Sequence, residues 1–503
     1  THLRPFDEKA DGTMLGEGVG MIVLKRLEDA VRDGHRIYAV IKGVGTSSDG
    51  KAKGLLAPRP EGEELAIRRA YESSSVDASS VELIEAHGTA LPVGDATEIE
   101  TIKKMFSRRN PSTPSCGVGT VKSMFGHLIP AAGVAGLIKT ALSVYHRTLP
   151  PSIHCEKPNP KFELEKTSVY INTEVRPWIH GDSDAPRRAG VNAFGFGGIN
   201  AHVVMEEYAD HNTPAESYNT AWDTELVVLS GVDRNGLIVQ CEQAIRLIAQ
   251  HPNASLLDVA ATLNNEVDGS SKLTIVASSV PDLGKKLDHA TKRLKDPDCR
   301  QIRERSGVFF FEEPLGFQGK VAFLFPGEGC QYVNMLADLC IHFPEVRECF
   351  DLLDRAFIGH PRNCLPSQFI FPRTAKELEE ADKRLWSMDG AVDSVITADR
   401  ALFRLLTTLG IQPDFIVGHS SGEIMALEAA GAVEIQNDEE LIQYIRTGNR
   451  MIDEMNANDD IPEGLLLTVG GVDYETVARA VAESRGALRI AMDNCPHQFI
   501  LCG

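Results

Sequence analysis

Residues 85–89 read Glu-Ala-His-Gly-Thr and directly follow a short apolar run at residues 81–84. A second histidine has a matching context, because Lys-Ser-Met-Phe-Gly-His at residues 122–127 follows another such run and precedes a helical pattern of small residues. Short β-rich runs that alternate with helical patterns indicate an α/β fold, in which functional side chains collect just past strand ends. We therefore expect His87 and His127 to polarise a carbonyl or to stabilise a carbanion or enolate. The alternative, in which each imidazole only binds local backbone groups, is weaker for two histidines in matching contexts than for one.

A second pattern with chemical meaning is Asp-Phe-Ile-Val-Gly-His-Ser-Ser-Gly-Glu at residues 414–423. A β run enters Gly-x-Ser-x-Gly and a helical run leaves it, which is the context of a nucleophile elbow. This context favours Ser420 as a nucleophile over a purely structural turn, with Gly418 and Gly422 allowing the strand and helix to approach closely. A serine nucleophile needs a base. The only downstream histidine, His497, is typical of a surface turn, so we expect the base after residue 503.

Two glycine clusters do not fit nucleotide binding. Residues 16–20 precede a β-like run rather than a helix, and residues 195–198 lack the Lys-Ser/Thr of a phosphate loop. We predict that both are tight turns that bring backbone close to a substrate.

Composition excludes several classes of protein. The 503 residues include 51 Lys and Arg against 71 Asp and Glu, and a net charge of −20 argues against nucleic acid as a partner. The ten cysteines lack the paired spacing of a zinc or redox motif, so we expect no metal, and reduced thiols fit a cytoplasmic protein. The longest apolar stretch, residues 129–144, carries Lys139 and is shorter than the ~20 apolar residues of a membrane span. Residues 1–7 have neither an initiator Met nor a signal-peptide pattern, which indicates an internal segment.

The length predicts two to four domains, and the patterns divide the chain into three regions. Residues 1–208 have the α/β alternation described above, and the apolar run at residues 21–24 predicts a buried strand. Residues 209–318 begin with a polar loop at 210–214 and continue as a small αβ unit with two predicted strands, at 225–229 and 273–278, and two predicted helices, at 235–248 and 282–294. Little chemistry is visible in this unit, which indicates a spacer domain. Residues 319–503 start a new α/β pattern with a buried strand predicted at 321–325. Within this region, a βαββ order from about residue 463 predicts a small ferredoxin-like (split-βαβ) subdomain.

Residues 1–208 resemble the second part of a ketosynthase of the polyketide and fatty-acid synthase type. The resemblance rests on five ordered blocks, which lie at residues 4–18, 85–95, 122–127, 131–133 and 192–202. It implies a thiolase-like fold, with His87 and His127 driving decarboxylation of a malonyl unit and stabilising the enolate. It also implies that Lys122 orders the site and that Phe194 lies at the gate of the acyl pocket. The family's nucleophilic cysteine belongs to a block upstream of this sequence, and Cys116 does not replace it.

Residues 209–318 look like the linker domain between ketosynthase and acyltransferase, and residues from 320 onward are similar to a malonyl-type acyltransferase with an α/β-hydrolase-like core. This resemblance implies that Ser420 carries the acyl group as an ester and that the N–H groups of Ser421 and Glu328 form the oxyanion hole. Glu328 stands where the family usually has Gln. Arg446 matches the arginine that binds the malonyl carboxylate, since a guanidinium pairs bidentately with a carboxylate. Arg450, one turn further on, is the competing candidate.

Taken together, the resemblance predicts a segment of a modular synthase. The expected substrates are acyl-CoA of the malonyl-CoA type and phosphopantetheine thiols of an acyl carrier protein, with no tightly bound cofactor. A homodimer through the ketosynthase is implied by resemblance alone. Two alternatives remain: a serine hydrolase that uses only Gly-x-Ser-x-Gly, and a non-catalytic ketosynthase scaffold that docks a carrier protein.

Overall fold

The computed structural model describes residues 2–50, 58–107, 115–182, 185–195, 197–208, 222–264, 269–314, 319–457 and 464–503. The predicted loop at 210–214 and Phe196 of the second glycine cluster lie outside the described residues. Contacts divide the chain into two compact units, Thr1–Glu434 and Ile435–Gly503.

A mixed sheet of six strands, in the order β1-β8-β7-β2-β3-β5, forms the first part of the larger unit. The strands up to residue 206 are β1 (Val40–Ser48), β2 (Leu83–Glu85), β3 (Cys116–Gly119), β4 (Thr148–Leu149), β5 (Val169–Ile171), β6 (Arg176–Pro177), β7 (Arg188–Gly195) and β8 (Ile199–Glu206). Strands β4 and β6 pair separately. The helices are α1 (Leu27–Arg32), α2 (Pro60–Ser74), α3 (Pro92–Phe106), α4 (Lys122–Phe125) and α5 (Ala132–His146). The mixed α/β class is thus confirmed.

The centre of this sheet is parallel, because β2 pairs in parallel with both β3 and β7. All three residues of β2 are buried, and Ile84 packs with Phe6, Ile99 and Phe106 in one hydrophobic cluster. Burying side chains of this size contributes about 1.5–3 kcal/mol each. The chain leaves β2 and β3 at the same edge of the sheet, which brings the segments containing His87 and His127 together.

The apolar run at residues 21–24 is a point where the sequence prediction is wrong. A buried strand is expected there, but the segment forms no strand and is exposed, with Met21 at 89% and Val23 at 97%. Composition favours an extended chain at such a run but does not specify a partner strand. Among the described residues no strand pairs with this segment.

Residues 222–314 form a separate antiparallel sheet of four strands in the order β11-β12-β10-β9. Its elements are β9 (Glu225–Gly231), α6 (Arg234–Gln250), α7 (Leu256–Asn264), β10 (Ser271–Ala277), α8 (Val280–Leu294), β11 (Gln301–Glu304) and β12 (Val308–Phe311). Asp233 caps α6 and Ser279 caps α8 through bonds to backbone N–H groups in the first turn, as N-cap residues do. The two strands and two helices predicted here are present, while α7 and the β11–β12 hairpin are additional.

Residues 319–434 contain a parallel strand pair and a group of helices. These elements are β13 (Ala322–Phe325), α9 (Ala337–His342), α10 (Pro344–Phe357), α11 (Pro366–Ile370), α12 (Ala375–Leu385), α13 (Met388–Thr408), β14 (Phe415–Gly418) and α14 (Gly422–Ala429). The expected buried strand at 321–325 is a strand but is not buried, because Leu324 is 72% exposed. In the described residues this sheet has two strands only, so part of its apolar surface is uncovered.

The smaller unit contains α15 (Asp438–Ala457), β15 (Leu466–Gly470), α16 (Tyr474–Glu483), β16 (Arg489–Cys495) and β17 (Gln498–Cys502). Its antiparallel sheet has the order β15-β17-β16, and Val477 of α16 packs on Phe499 and Leu501. The predicted βαββ order is therefore confirmed. The compact unit starts at Ile435, earlier than the subdomain start expected near residue 463, because it includes α15.

A buried ion-pair network connects the first sheet to α10 within the larger unit. The Arg187 guanidinium donates to Asp351 at 2.7 Å and to Glu207 at 3.1 Å, and the backbone N–H of His180 donates to Asp351 at 2.7 Å. Burial alone lowers the pKa of His180, but the carboxylate of Glu82 outweighs it and raises the pKa to about 9. These charges are paired, as buried charges must be.

Two observations concern the whole described chain. No helix in its described parts is long and apolar enough to cross a membrane. All ten cysteines are free thiols, and the described residues hold no cluster of metal-ligating side chains.

A buried carboxyl in α2 predicts a pH-dependent stability. Glu63 is 2% exposed and accepts a hydrogen bond from Thr101 Oγ1 at 2.8 Å. Burial, reinforced by the nearby Glu98 carboxylate, raises the pKa of Glu63 to about 8. Below about pH 4 the Glu63 carboxyl is protonated in both the folded and the unfolded chain, so its contribution to stability is fully present. Between about pH 4 and pH 8 the carboxyl ionises only in the unfolded chain. Stability should therefore fall by up to about 1.4 kcal/mol per pH unit until the pH reaches the folded pKa.

We expect Glu63→Gln to remove this pH dependence. The unfolding temperature of the variant should therefore exceed that of the wild type by more at pH 8 than at pH 5. The exposed Glu72, on the same helix, provides the control Glu72→Gln. Equal pH slopes in the two variants would contradict the assignment.

Candidate functional site

His87 is held at the end of β2 by contacts on both its backbone and its ring. Its backbone N–H donates to Glu98 Oε1 at 2.7 Å, and its carbonyl accepts from Lys122 Nζ. The backbone N–H of Phe194 lies 3.4 Å from His87 Nδ1 and donates to it. Since Nδ1 accepts this bond, the proton of the neutral ring is on Nε2.

His127 lies in the loop after α4 and has the same tautomer. Its Nδ1 accepts from the backbone N–H of Ile129 at 3.0 Å, so its Nε2 also carries the proton. The two imidazole rings lie edge to face with centroids 5.4 Å apart. The structure therefore brings together the two histidines that the sequence singled out, each with an Nε2–H as donor.

Burial and Lys122 keep both rings neutral. Desolvation, followed by the charge of Lys122, lowers the pKa of His87 well below its ordinary value and lowers the pKa of His127 as well. Lys122 Nζ lies 3.4 Å from His87 Nδ1. Burial also lowers the pKa of Lys122, although the carboxylates of Glu85 and Glu98 oppose this. The site can thus offer two neutral N–H donors and one nearby cation to a developing negative charge.

Glu98 of α3 is the residue of this site that sequence reasoning missed. Its carboxylate accepts from the backbone N–H groups of His87 and Gly88, at 2.7 and 2.8 Å, and from Asn192 Nδ2 at 2.9 Å. Asn192 Oδ1 in turn lies 2.6 Å from His202 Nδ1, and burial lowers the pKa of His202 to about 3. His202 is therefore a neutral supporting group. His202 belongs to the motif block at residues 192–202, which is the sequence signal that could have identified it. Glu98 lies outside all five motif blocks.

Two further carboxylates fix the loops around the histidines. Asp95 accepts from the backbone N–H groups of Phe6, Thr89 and Ala90, and burial raises its pKa to about 7 despite these bonds. Glu85 accepts from the backbone N–H of Val121 at 2.6 Å and pairs with Lys139 at 2.8 Å. The loops after β2 and β3 are thus both anchored in the protein interior.

The first glycine cluster is not a turn, which corrects the prediction for residues 16–20. Residues 16–20 form no turn, helix or strand, and the Gly16 N–H donates to the His127 carbonyl at 3.0 Å. A Cβ at Gly16 would lie 2.0 Å from the carbonyl oxygen of Phe125. Close packing against the Phe125 backbone is therefore the reason for glycine. In the second cluster, Gly197 and Gly198 have φ of 85° and 73° in the β7–β8 hairpin, so the predicted turn is confirmed there.

Ser420 lies at a sharp bend between β14 and α14. Its φ is 55°, a left-handed conformation that costs a non-glycine residue about 1–2 kcal/mol. A Cβ at Gly422 would lie 2.2 Å from the Phe325 carbonyl oxygen, and one at Gly418 would lie 2.5 Å from Glu423 Cα. The expected strand–turn–helix context and the need for both glycines are thus confirmed as geometry.

The Ser420 hydroxyl donates to the Glu328 carboxylate at 2.8 Å, in the loop that follows β13. Ser421 is the first residue after the bend and forms the N-cap position of α14. Partial desolvation raises the pKa of Glu328, but its own backbone N–H and the hydrogen bonds from Ser420 and Ser421 outweigh it, so the pKa lies below its ordinary value. An ionised carboxylate therefore lies beside the candidate nucleophile.

The remaining predicted residues are Phe194, Arg446 and His497. Phe194 is buried in β7, with its ring centroid 6.1 Å from that of His87. Arg446 belongs to α15 of the smaller unit, where it is half-buried while Arg450 is exposed. His497 lies in the exposed β16–β17 turn, as predicted.

Three family models match the chain in sequence order. They describe the N-terminal domain of β-ketoacyl synthase at residues 1–30, its C-terminal domain at 38–156, and the ketoacyl-synthetase C-terminal extension at 158–267. Residues 1–267 of this chain therefore belong to the β-ketoacyl synthase family. The extension match crosses the boundary that the sequence placed at residue 208.

The curated relatives that match this chain include a polyunsaturated fatty acid synthase and several polyketide synthases. One polyunsaturated fatty acid synthase protein, from Thraustochytrium sp., is 33% identical over 94% of this chain and 18% of that protein. A phenolphthiocerol/phthiocerol polyketide synthase of Mycobacterium tuberculosis is 33% identical over 86% of this chain and 28% of that protein. Erythronolide synthase EryA3 of Saccharopolyspora erythraea is 30% identical over 99% of this chain and 15% of that protein. The chain thus spans less than a third of the length of these relatives.

Among solved structures, the ketosynthase from module 6 of the Bacillus subtilis bacillaene synthase is 35% identical to this chain. The match covers 58% of this chain and 50% of that one, with a TM-score of 0.41.

Proposed function

We propose that this chain contributes two reactions to a polyketide-synthase-type module: extender loading through Ser420, and decarboxylative condensation at His87 and His127. The observation that carries the proposal is the pair of neutral imidazoles, 5.4 Å apart, in a chain of the β-ketoacyl synthase family. A carrier protein and malonyl-CoA are the proposed partner and donor.

In the condensing reaction, the two Nε2–H groups donate to the thioester oxygen of a malonyl unit. The bond between the α-carbon and the carboxylate breaks and CO₂ leaves. The electron pair of the broken bond stays on the α-carbon and forms an enolate that these donors stabilise. The enolate carbon attacks an acyl thioester on a cysteine, which we place upstream of this sequence. The new carbon–carbon bond forms as the cysteine thiolate leaves. Lys122 positions His87 and favours the negative charge.

In the loading reaction, the Ser420 hydroxyl gives its proton to a general base and Oγ attacks the thioester carbonyl of the donor; the CoA thiolate leaves and takes up that proton. A phosphopantetheine thiol then attacks the serine ester and restores the hydroxyl. Three observations support this assignment: the positive φ of Ser420, the close approach of Gly422 to Phe325, and a match to EryA3 that extends over 99% of the chain.

The test is incubation of the intact protein with malonyl-CoA, followed by mass spectrometry of the peptide that contains Ser420. We expect a malonyl ester that transfers to an added carrier-protein thiol. No ester at Ser420 would reject loading, and rapid release of malonate to water in place of thiol transfer would favour the hydrolase alternative.

We expect Arg446→Ala to weaken malonyl loading relative to acetyl loading by about 10–100-fold, because a charged hydrogen-bond pair contributes about 1.5–3 kcal/mol. Competition between the two CoA donors measures this ratio. Arg450→Ala, on the same helix one turn away, is the matched control. An unchanged ratio in the Arg446 variant, or a larger effect in the control, would contradict the assignment.

A further inference from the structure

The Glu328 carboxylate lies directly beside the candidate nucleophile Ser420, which is an unusual position for a negative charge. Its Oε2 accepts the Ser420 hydroxyl proton at 2.8 Å, and its own backbone N–H and that of Ser421 are the two predicted oxyanion donors. We infer that the Glu328 carboxylate fills the oxyanion hole beside Ser420 and must be displaced before an acyl donor can react. This inference rests on the proposed role of Ser420.

The loop that carries Glu328 is fixed to the serine bend. The His419 N–H donates to the Phe325 carbonyl at 3.0 Å, and a Cβ at Gly327 would lie 2.6 Å from Ser420 Cβ. Displacement of the carboxylate therefore requires rotation of the Glu328 side chain, because the backbone on either side of the contact is packed.

A second anchor lies on the other side of Glu328. The buried Gln331 accepts from the Gly329 N–H at 2.7 Å and donates to the Leu385 carbonyl at 3.0 Å, which joins the loop to α12. The Cys330 thiol donates to the Gly327 carbonyl at 3.2 Å. The loop is thus held at both ends while the Glu328 side chain itself is exposed and able to rotate.

Charge decides which group occupies the hole. Its N–H donors, and the N-terminus of α14, favour an anion over the neutral carbonyl of a thioester. The lowered pKa of Glu328 is the expected sign of such stabilisation and means that the carboxylate is ionised at neutral pH. A substrate carbonyl must compete with an anion that is always present, so acylation of Ser420 is slowed.

Glutamine has the same shape as glutamate without the charge. Glu328→Gln in the intact protein should therefore raise the initial rate of Ser420 acylation about tenfold, for malonyl-CoA and acetyl-CoA alike. Glu328→Ala, which removes the whole carboxylate, should give a similar rise. Glu379→Gln, which removes one exposed charge from α12, should leave the rate unchanged. Thermal unfolding of each variant verifies that it is folded.

The outcomes separate this inference from the proposed function. Ester formation at Ser420 in wild type, with an equal or lower rate in both Glu328 variants, would overturn the inference alone; a lower rate would identify the carboxylate as an acceptor of the serine proton. Ester formation only in the Glu328 variants would show that the carboxylate blocks the site, and would reject loading by the wild-type chain. If no protein formed an ester at Ser420, the inference and the loading function would both be rejected.

Discussion

Replacement of either His87 or His127 by alanine is expected to lower the rate of malonyl decarboxylation by about 10²–10⁴-fold, the range for losing a positioned proton donor. Each ring has a single Nε2–H available for the enolate oxygen, because its Nδ1 already accepts a backbone N–H. The measurement is CO₂ release from a malonyl thioester of the carrier protein by the intact protein. His251→Ala, an exposed histidine at the end of α6, is the control.

The pH dependence of the same reaction tests the neutral state of the rings. Desolvation and the Lys122 charge lower both histidine pKa values, so we expect the rate to be constant above pH 6.5 and to fall only on the acid side. Protonation would put a hydrogen on Nδ1, where it conflicts with the bound N–H. Lys122→Met should raise both pKa values and move the acid limb to higher pH.

Two results would contradict this account. Wild-type CO₂ release in the His87 and His127 variants would leave the pair as structural groups and favour the scaffold alternative. A rate that rises as the pH falls through 6 would mean that an imidazolium is the active form, which the observed hydrogen bonds oppose.

The part of the site that sequence could predict is the part encoded by short patterns. His87, Lys122 and His127 each follow an apolar run within a few residues, and the order of strand and loop is enough to place them at one sheet edge. Ser420 was predictable for the same reason, because the strand, the bend and the helix are adjacent in sequence.

The supporting groups were not predictable in this way. Glu98 binds Asn192, 94 residues away, and the backbone of His87, 11 residues away, so only the tertiary fold reveals its role. The prediction of a buried strand at residues 21–24 was wrong for a related reason. A β-branched composition indicates an extended chain, whereas burial of that chain depends on which other surface covers it. Gly16 was wrongly predicted to be a turn residue. Both a close backbone approach and a positive φ require glycine, so the residue type alone does not distinguish them.

Loss of the hydroxyl in Ser420→Ala is expected to abolish acyl loading, because the neighbouring Ser421 hydroxyl belongs to a buried residue, 8% exposed, and is not accessible to an acyl donor. Intact-peptide mass spectrometry after incubation with malonyl-CoA measures this loss. Ser306→Ala, in the exposed β11–β12 turn, serves as the control, and Ser420→Cys should still form an acyl adduct, now a thioester.

The conformation of Ser420 makes a second, independent readout available. At φ 55° a residue with a Cβ is strained, and glycine is not. Ser420→Gly should therefore unfold at a higher temperature than Ser420→Ala, with about 1 kcal/mol of added stability, while both variants lack the ester. This combination is the signature of strain retained for function, because the bend is what exposes the hydroxyl. A persistent ester in Ser420→Ala would assign loading to another residue, and equal stability of the alanine and glycine variants would show that the bend is not strained.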